Sequence, residues 1–209
     1  QVDLNEEGRP DIEEIKKAVE SKPKMVYIQR SRGYSLRPTL SVAEIGEIAK
    51  AVKSVSPETV IMVDNCYGEF VEKKEPTEVG ADIIAGSLIK NPGGGIAPTG
   101  GYIAGRHDLV EMCGHRLSAP GTGREIGCSL DVMREMYLGV YFAPMITANA
   151  LKTSIYASCL YEKMGFETEP RYFEDRNDII TSICAENAEG ISAEHQRIKV
   201  DFSVTCKNR

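Results

Sequence analysis

Three short apolar runs, Met25 to Gln29 (MVYIQ), Thr59 to Val63 (TVIMV) and Ala81 to Ala85 (ADIIA), constrain this chain more than any other feature. Each has the length of a strand. Consecutive apolar positions suit strands covered on both faces, as in a parallel sheet. Helical stretches precede the first two. One opens at Pro10-Asp11 and sets Ile12, Ile15, Ala18 and Val19 on one face, with Glu13, Glu14, Lys16 and Lys17 on the other. Lys22-Pro23 stops it. The next opens at Ser41, and Glu44 three residues on completes a capping-box pattern. Its stripe is Val42, Ile45, Ile48, Ala49 and Val52, and Ser56-Pro57 ends it. The order helix, strand, helix, strand predicts an α/β fold with a mostly parallel sheet. Val2 to Gly8 has no strong period and reads as a lead-in.

Beyond the second run, Glu69 to Glu78 is a charged loop or a short helix. Asn91-Pro92-Gly93-Gly94-Gly95 cannot stay regular, because proline lacks a donor and the glycines tolerate unusual dihedrals. Gly101 to Ala104 returns as a short strand, antiparallel to its predecessor across that turn. His107 to Arg116 reads as a helix and Leu117 to Arg124 as a loop. Ile126 to Met164 is mostly helical, with a kink or a break at Phe142-Ala143-Pro144. After Gly165-Phe166 a smaller domain begins, with Asn177 to Ile183 as its first clear strand. Cys184 to Gln196 is polar and without a clean period. Val200, Phe202, Val204 and Cys206 alternate with polar residues, as a half-buried strand does. The expected division is a large domain over 1–125, connecting helices over 126–165 and a small α/β domain over 166–209.

Composition narrows the function classes. The net charge of −6 leaves no basic footprint for nucleic acid. No apolar run approaches the roughly 20 residues of a membrane span. Six scattered cysteines without a CxxC pair predict reduced thiols and a cytoplasmic protein. Cys113 and His115 form a C-x-H pair with no second ligand pair beside it, so no metal site is expected. The chain opens on Gln1, and the expectation is a fragment or a processed product.

The chemistry concentrates between Val60 and Arg106. Asp64 follows the second apolar run, and Lys90 follows the third, 26 residues later. In open α/β sheets, ligands sit outside the carboxyl ends of the strands. A lysine there can form a Schiff base when burial or a nearby cation lowers its basicity. A pyridine-ring cofactor needs a partner for its ring nitrogen, Asp or Arg depending on the enzyme. Ser87, three residues before Lys90, can place a hydroxyl on a phosphate, helped by the backbone amides of the turn. Taken singly, Asp64 reads as a turn cap and Lys90 as a solvated loop residue; order and strand context shift both toward a site. Arg30 and Arg32, past the first strand, are either a solvated basic loop or an anion or cofactor contact.

VDNCYGEF at 63–70 and GADIIAGSLIKNPGGGIAPTGGYIAGR at 80–106 resemble the aluminium-resistance family of methionine gamma-lyase-related proteins. LSAPGTGREIGCSLDVMREMYLGVYFAPMI at 117–146 and RNDII at 176–180 resemble it too, and the likeness is expected over roughly residues 1–183. The resemblance implies a fold type I pyridoxal-phosphate (PLP) enzyme near the cystathionine lyases. It implies that Lys90 forms the internal aldimine and takes the Cα proton, Asp64 pairs with the pyridine nitrogen and Ser87 contacts the phosphate. Asn65 and Tyr67 are further candidates near the ring, with Tyr67 equally a packing residue. A carbon–sulfur lyase acting on an amino acid by β- or γ-elimination is implied, as a homodimer or homotetramer. Alternatives are a non-catalytic role in metal tolerance and an inactive truncated chain. Family members are about twice this length, so a phosphate cup and a stacking aromatic are expected before residue 1. The run after Ile183 departs from the family, through a frame change or a divergent tail. The Pro120–Arg124 loop is expected near a subunit interface.

Overall fold

The computed structural model describes residues 1–33, 35–117, 119–123, 125, 127, 130–185 and 203–206. Four strands form the main sheet: β1 (Met25–Gln29), β2 (Val60–Asp64), β3 (Ile83–Ser87) and β4 (Gly101–Gly105), in that spatial order. β1, β2 and β3 run parallel, and β4 returns antiparallel to β3. The α/β reading with a mostly parallel sheet is therefore the observed architecture.

Helices α1 (Ile12–Val19) and α2 (Val42–Val55) pack over one face. The Asp11 carboxylate accepts from the Glu13 and Glu14 amides and starts α1. The α2 capping box closes in both directions: Ser41 Oγ accepts from the Glu44 amide, and Glu44 Oε2 accepts from the Ser41 amide at 2.8 Å. Ile45, Ile48, Ala49 and Val52 of α2 join Ile28, Ile61, Val63 and Ile84 of the strands in one buried cluster. Ala18 is exposed rather than part of the α1 stripe. β1 departs from two-sided burial: Ile28 is buried, while Met25 and Tyr27 are 47% and 57% exposed.

The third strand lies two residues later than its apolar run predicts. Asp82 sits before it as a hub, accepting from the Ile61 amide and pairing with Lys53 and Arg106. Gly86 and Ser87 consequently belong to the strand. After β4 come α3 (His107–Leu117) and α4 (Met133–Lys163).

There is no break at Pro144: one 31-residue helix runs through with Pro144 inside it, the arrangement that the kink alternative allows. Proline removes a single hydrogen-bond donor. Ala143 beside it is fully buried and lies against Gly94 of the turn after Lys90, so packing holds the helix through the gap.

β5 (Glu167–Glu169), β6 (Ser182–Ala185) and β7 (Ser203–Cys206) form a second sheet in that order. Residues 177–181 are thus a loop and not the first strand. Their side chains bond elsewhere: Asn177 donates to the Thr39 carbonyl at 3.3 Å, and Asp178 accepts from the Thr39 hydroxyl. Arg176 reaches the Ser158 and Thr181 hydroxyls at 2.8 and 2.7 Å.

Tyr34, Arg124, Cys128, the run from 186 to 202, with its share of the predicted last strand, and 207–209 lie outside the described residues. The proposed interface loop is described only to Gly123. Among the described residues, no helix is long and apolar enough to cross a membrane. Cys66, Cys113, Cys159 and Cys184 are free thiols.

Candidate functional site

Three parallel strands deliver their carboxyl ends to one edge. Gln29 of β1 is in register with Asp64 of β2, and Asp64 with Ala85 of β3. The chain leaves each strand still bonded to its neighbour: the Arg30 amide donates to the Asp64 carbonyl at 3.1 Å, and the Asn65 amide to the Ala85 carbonyl at 2.9 Å. Asp64 is held by the Tyr27 hydroxyl at 3.2 Å and the Cys66 amide at 3.1 Å. Burial and the adjacent Asp64 push the Tyr27 phenol up. Burial, then the hydrogen bond with Asp64, pushes the Cys66 thiol up to about 12, so Cys66 is a neutral thiol here rather than a nucleophile.

Ser87 ends β3. Its Oγ accepts from the Ile89 amide at 3.4 Å, and its carbonyl accepts from the Lys90 amide at 3.1 Å. That tight turn presents Lys90 at the head of a 3-10 turn, Asn91–Gly93. The Lys90 ammonium sits 4.8 Å from the centroid of the Tyr67 ring. Tyr67 occupies the left-handed region at φ 69°. Asp64, Ser87, Lys90 and Tyr67 thus gather at one edge.

Asn65 does not join them. It is fully buried, its Oδ1 accepting from Arg30 Nη1 at 2.7 Å and its Nδ2 donating to Glu75 at 2.8 Å. Both readings of Arg30 and Arg32 need correction. Arg30 is 0% exposed and pairs with Glu72 at 2.8 Å, with its guanidinium pressed on Gly68, where a Cβ would come within 2.5 Å. Arg32 is buried too, donating to the Glu169 carbonyl at 3.2 Å and to Thr39. Neither is a solvated loop cation. A charge this deep persists only when paired, and the acids that pair with Arg30 lie some forty residues away in sequence.

Two further residues support the edge, both inside the quoted stretches but not singled out there as site residues. Asn91 Nδ2 donates to the carbonyls of Tyr67 and Glu69, both at 3.0 Å, tying the residue after Lys90 to the loop after Asp64. Glu69 is 3% exposed, and its Oε1 accepts from the Tyr102 hydroxyl at 2.9 Å. Its Oε2 has no partner among the described residues, and burial raises the carboxyl to about 7. Gly86 makes room for this pair, since a Cβ there would come within 2.5 Å of Tyr102 Cε1. The one sequence hint was Gly86 itself, a glycine inside a strand that marks a close approach.

A family model described as methionine gamma-lyase matches residues 1–206, running past Ile183, where the likeness was expected to end. A 33.9 kDa protein of Lactobacillus delbrueckii subsp. bulgaricus is 52% identical over 183 residues, covering 87% of this chain and 60% of that protein. A carbon-sulfur lyase involved in aluminum resistance from Clostridium novyi is 49% identical, with a TM-score of 0.85 over 90% of this chain and 45% of its own. A PLP-dependent aminotransferase of Streptococcus suis, 16% identical, shares the fold with a TM-score of 0.56, covering 78% of this chain and 43% of that one. The chain therefore spans about half the length of the proteins it matches, and its main sheet is that of the fold type I PLP enzymes.

Proposed function

The chain belongs to the methionine gamma-lyase family, and on that premise we propose that the protein uses pyridoxal 5′-phosphate to cleave a carbon–sulfur bond in an amino-acid substrate by β- or γ-elimination. The observation that carries this reading is the convergence of an acid, a hydroxyl and an amine on one sheet edge: Asp64 at the end of β2, and Ser87 and Lys90 at and just past the end of β3. Adjacent strands lie about 4.8 Å apart, a spacing on the scale of a substituted pyridine ring. The donor set suits the cofactor. An anion answers a ring nitrogen, a hydroxyl answers a phosphate oxygen, and a primary amine answers an aldehyde.

When bound, the cofactor supplies an electron sink for charge developing at the substrate Cα. The chain's own residues do the rest. Asp64, oriented by the Tyr27 hydroxyl and the Cys66 amide, would face the ring nitrogen and favour its protonated form. Ser87 Oγ would contribute a hydroxyl to the phosphate. Lys90 Nζ would hold the cofactor through its aldehyde and would serve as the general base for the Cα proton. Tyr67 keeps that amine over its ring face.

The test is spectroscopic. Wild type titrated with the cofactor gains the visible band of a lysine-linked pyridoxal, and Lys90→Ala, folded by circular dichroism, does not. Wild type that takes up no cofactor overturns the reading. The Clostridium novyi relative's association with aluminum resistance favours a second reading, a non-catalytic role in metal tolerance. Resistance that survives in a strain carrying only Lys90→Ala selects that reading instead.

A further inference from the structure

The backbone of Tyr67 is pinned on both sides. Its φ of 69° lies where a residue with a Cβ is uncommon. Strain of this kind lasts only where the surroundings enforce it, and it collects at functional sites. Before Tyr67, Asn65 is locked between Arg30 and Glu75, and its carbonyl accepts from the Gly68 amide at 3.0 Å. After it, Asn91 Nδ2 holds the Tyr67 carbonyl and, two residues on, the Glu69 carbonyl. Asn91 directly follows Lys90, so the clamp that fixes Tyr67 also fixes the lysine turn. Between them the half-buried Lys90 ammonium stands 4.8 Å from the ring centroid. The acids on either side of Tyr67 in its loop have other partners: Asp64 takes the Tyr27 hydroxyl and the Cys66 amide, and Glu69 takes the Tyr102 hydroxyl.

We propose that Tyr67 is a positioning residue for the proton transfer, its ring face receiving the Lys90 amine once that amine holds the substrate's Cα proton, an inference that rests on the reading of Lys90 as the general base. In that step the Cα–H bond breaks and its electron pair stays with the substrate. The proton forms a third N–H bond on the amine, and Lys90 goes from neutral to cationic. A ring face attracts a cation through its quadrupole and gives a neutral amine far less. The contact is therefore stronger after the transfer than before it, and only a difference of that kind speeds a chemical step. The ring supplies the attraction, so phenylalanine shares it and the Tyr67 hydroxyl has no part. The strained backbone and the Asn91 clamp keep the face and the amine within reach while Lys90 changes charge.

Two measurements on the whole chain test it. In cofactor-free protein the lysines are reductively methylated with carbon-13, and NMR follows the signal that Lys90→Ala lacks as pH is varied. Its midpoint is expected to fall by about half a pH unit in Tyr67→Leu and to hold in Tyr67→Phe. With cofactor bound, exchange of the Cα proton of alanine in heavy water reads the proton step alone, since alanine has no leaving group. Tyr67→Leu is expected to slow it about twofold to fivefold, and Tyr67→Phe to match wild type. Tyr67→Asn removes the ring but suits the left-handed backbone, and it carries both measurements if the leucine variant does not fold. An unmoved midpoint or an unchanged exchange rate in the ringless variant overturns the inference, as does an equal loss in Tyr67→Phe. Cofactor uptake with an unmoved midpoint sinks this inference alone. A moved midpoint in a chain that takes up no cofactor sinks the cofactor reading and leaves Tyr67 as the holder of the Lys90 charge.

Discussion

Lys90 and Tyr67 stand in cation–π contact, with 4.8 Å between the ammonium and the ring centroid, although they belong to loops after different strands. Asn91 makes this a built arrangement: it follows Lys90 in sequence and bonds the carbonyl of Tyr67. A partly exposed contact of this kind is worth about 0.5–1 kcal/mol. Tyr67→Leu is expected to lose about that much stability in urea unfolding, and Tyr67→Phe to keep it. Equal losses in both variants show that the hydroxyl, not the ring face, matters.

Asn91 itself is the larger risk. Asn91→Leu leaves the buried Glu69 carbonyl and the half-buried Tyr67 carbonyl without this donor. Each such group costs about 1–3 kcal/mol. The expected loss is therefore about 2–6 kcal/mol, well beyond Tyr67→Leu. A loss of under about 1 kcal/mol in urea contradicts the clamp.

Glu69 makes stability depend on pH in a defined direction. Its carboxyl is raised from 4.5 to about 7, chiefly by burial, so folding favours the protonated form. Below the unfolded value near 4.5 the group costs nothing. As pH rises through about 7 its contribution is lost, by on the order of 3 kcal/mol in all. Glu69→Gln keeps the bond from Tyr102 and cannot ionise. The stability of the variant relative to wild type should therefore rise between pH 4.5 and pH 7 and then level off. A constant difference across that range, in urea titrations at several pH values, rules out the buried carboxyl as its source.

Gly139 of α4 lies against the turn after Lys90 so closely that a Cβ there would be driven into the Gly93 carbonyl. Overpacking of this sort costs about 1–3 kcal/mol. Gly139→Ala is expected to lose that much and to weaken cofactor uptake, because the backbone that must give way is the Lys90 turn. Gly165→Ala, where a Cβ meets nothing within 4 Å, tests the other end of α4. Its left-handed φ of 93° gives it a stability cost too, so cofactor uptake separates the two. Uptake unchanged in Gly139→Ala dismisses the coupling to the lysine turn.

Much of the fold was legible because its signals are local. Ser41 and Glu44 announce the start of α2 within three residues, and the valines and isoleucines of β1 and β2 announce strands. The shared edge of Asp64 and Lys90 was legible for the same reason: both follow apolar runs, and parallel strands end on one side. What sequence order conceals is compensation at a distance. Arg30 looks like a loop cation until Glu72 and Asn65 are folded onto it. Asn65 looks like a site residue next to Asp64 until Arg30 claims its carbonyl. Pro144 looks like a break until the turn after Lys90 supports the helix across it. Each has a partner that only tertiary contact supplies.

The length of α4 has a mechanical consequence. From Gly139, against the lysine turn, to Tyr161, packed with Phe166 and Ile183 of the second sheet, the helix covers about 33 Å. A tilt of only one degree about the glycine contact moves the far end by roughly 0.6 Å. Conversely, whatever shifts the second sheet applies its leverage at Gly93, three residues from Lys90. The helix acts as a tiller for the turn that holds the amine.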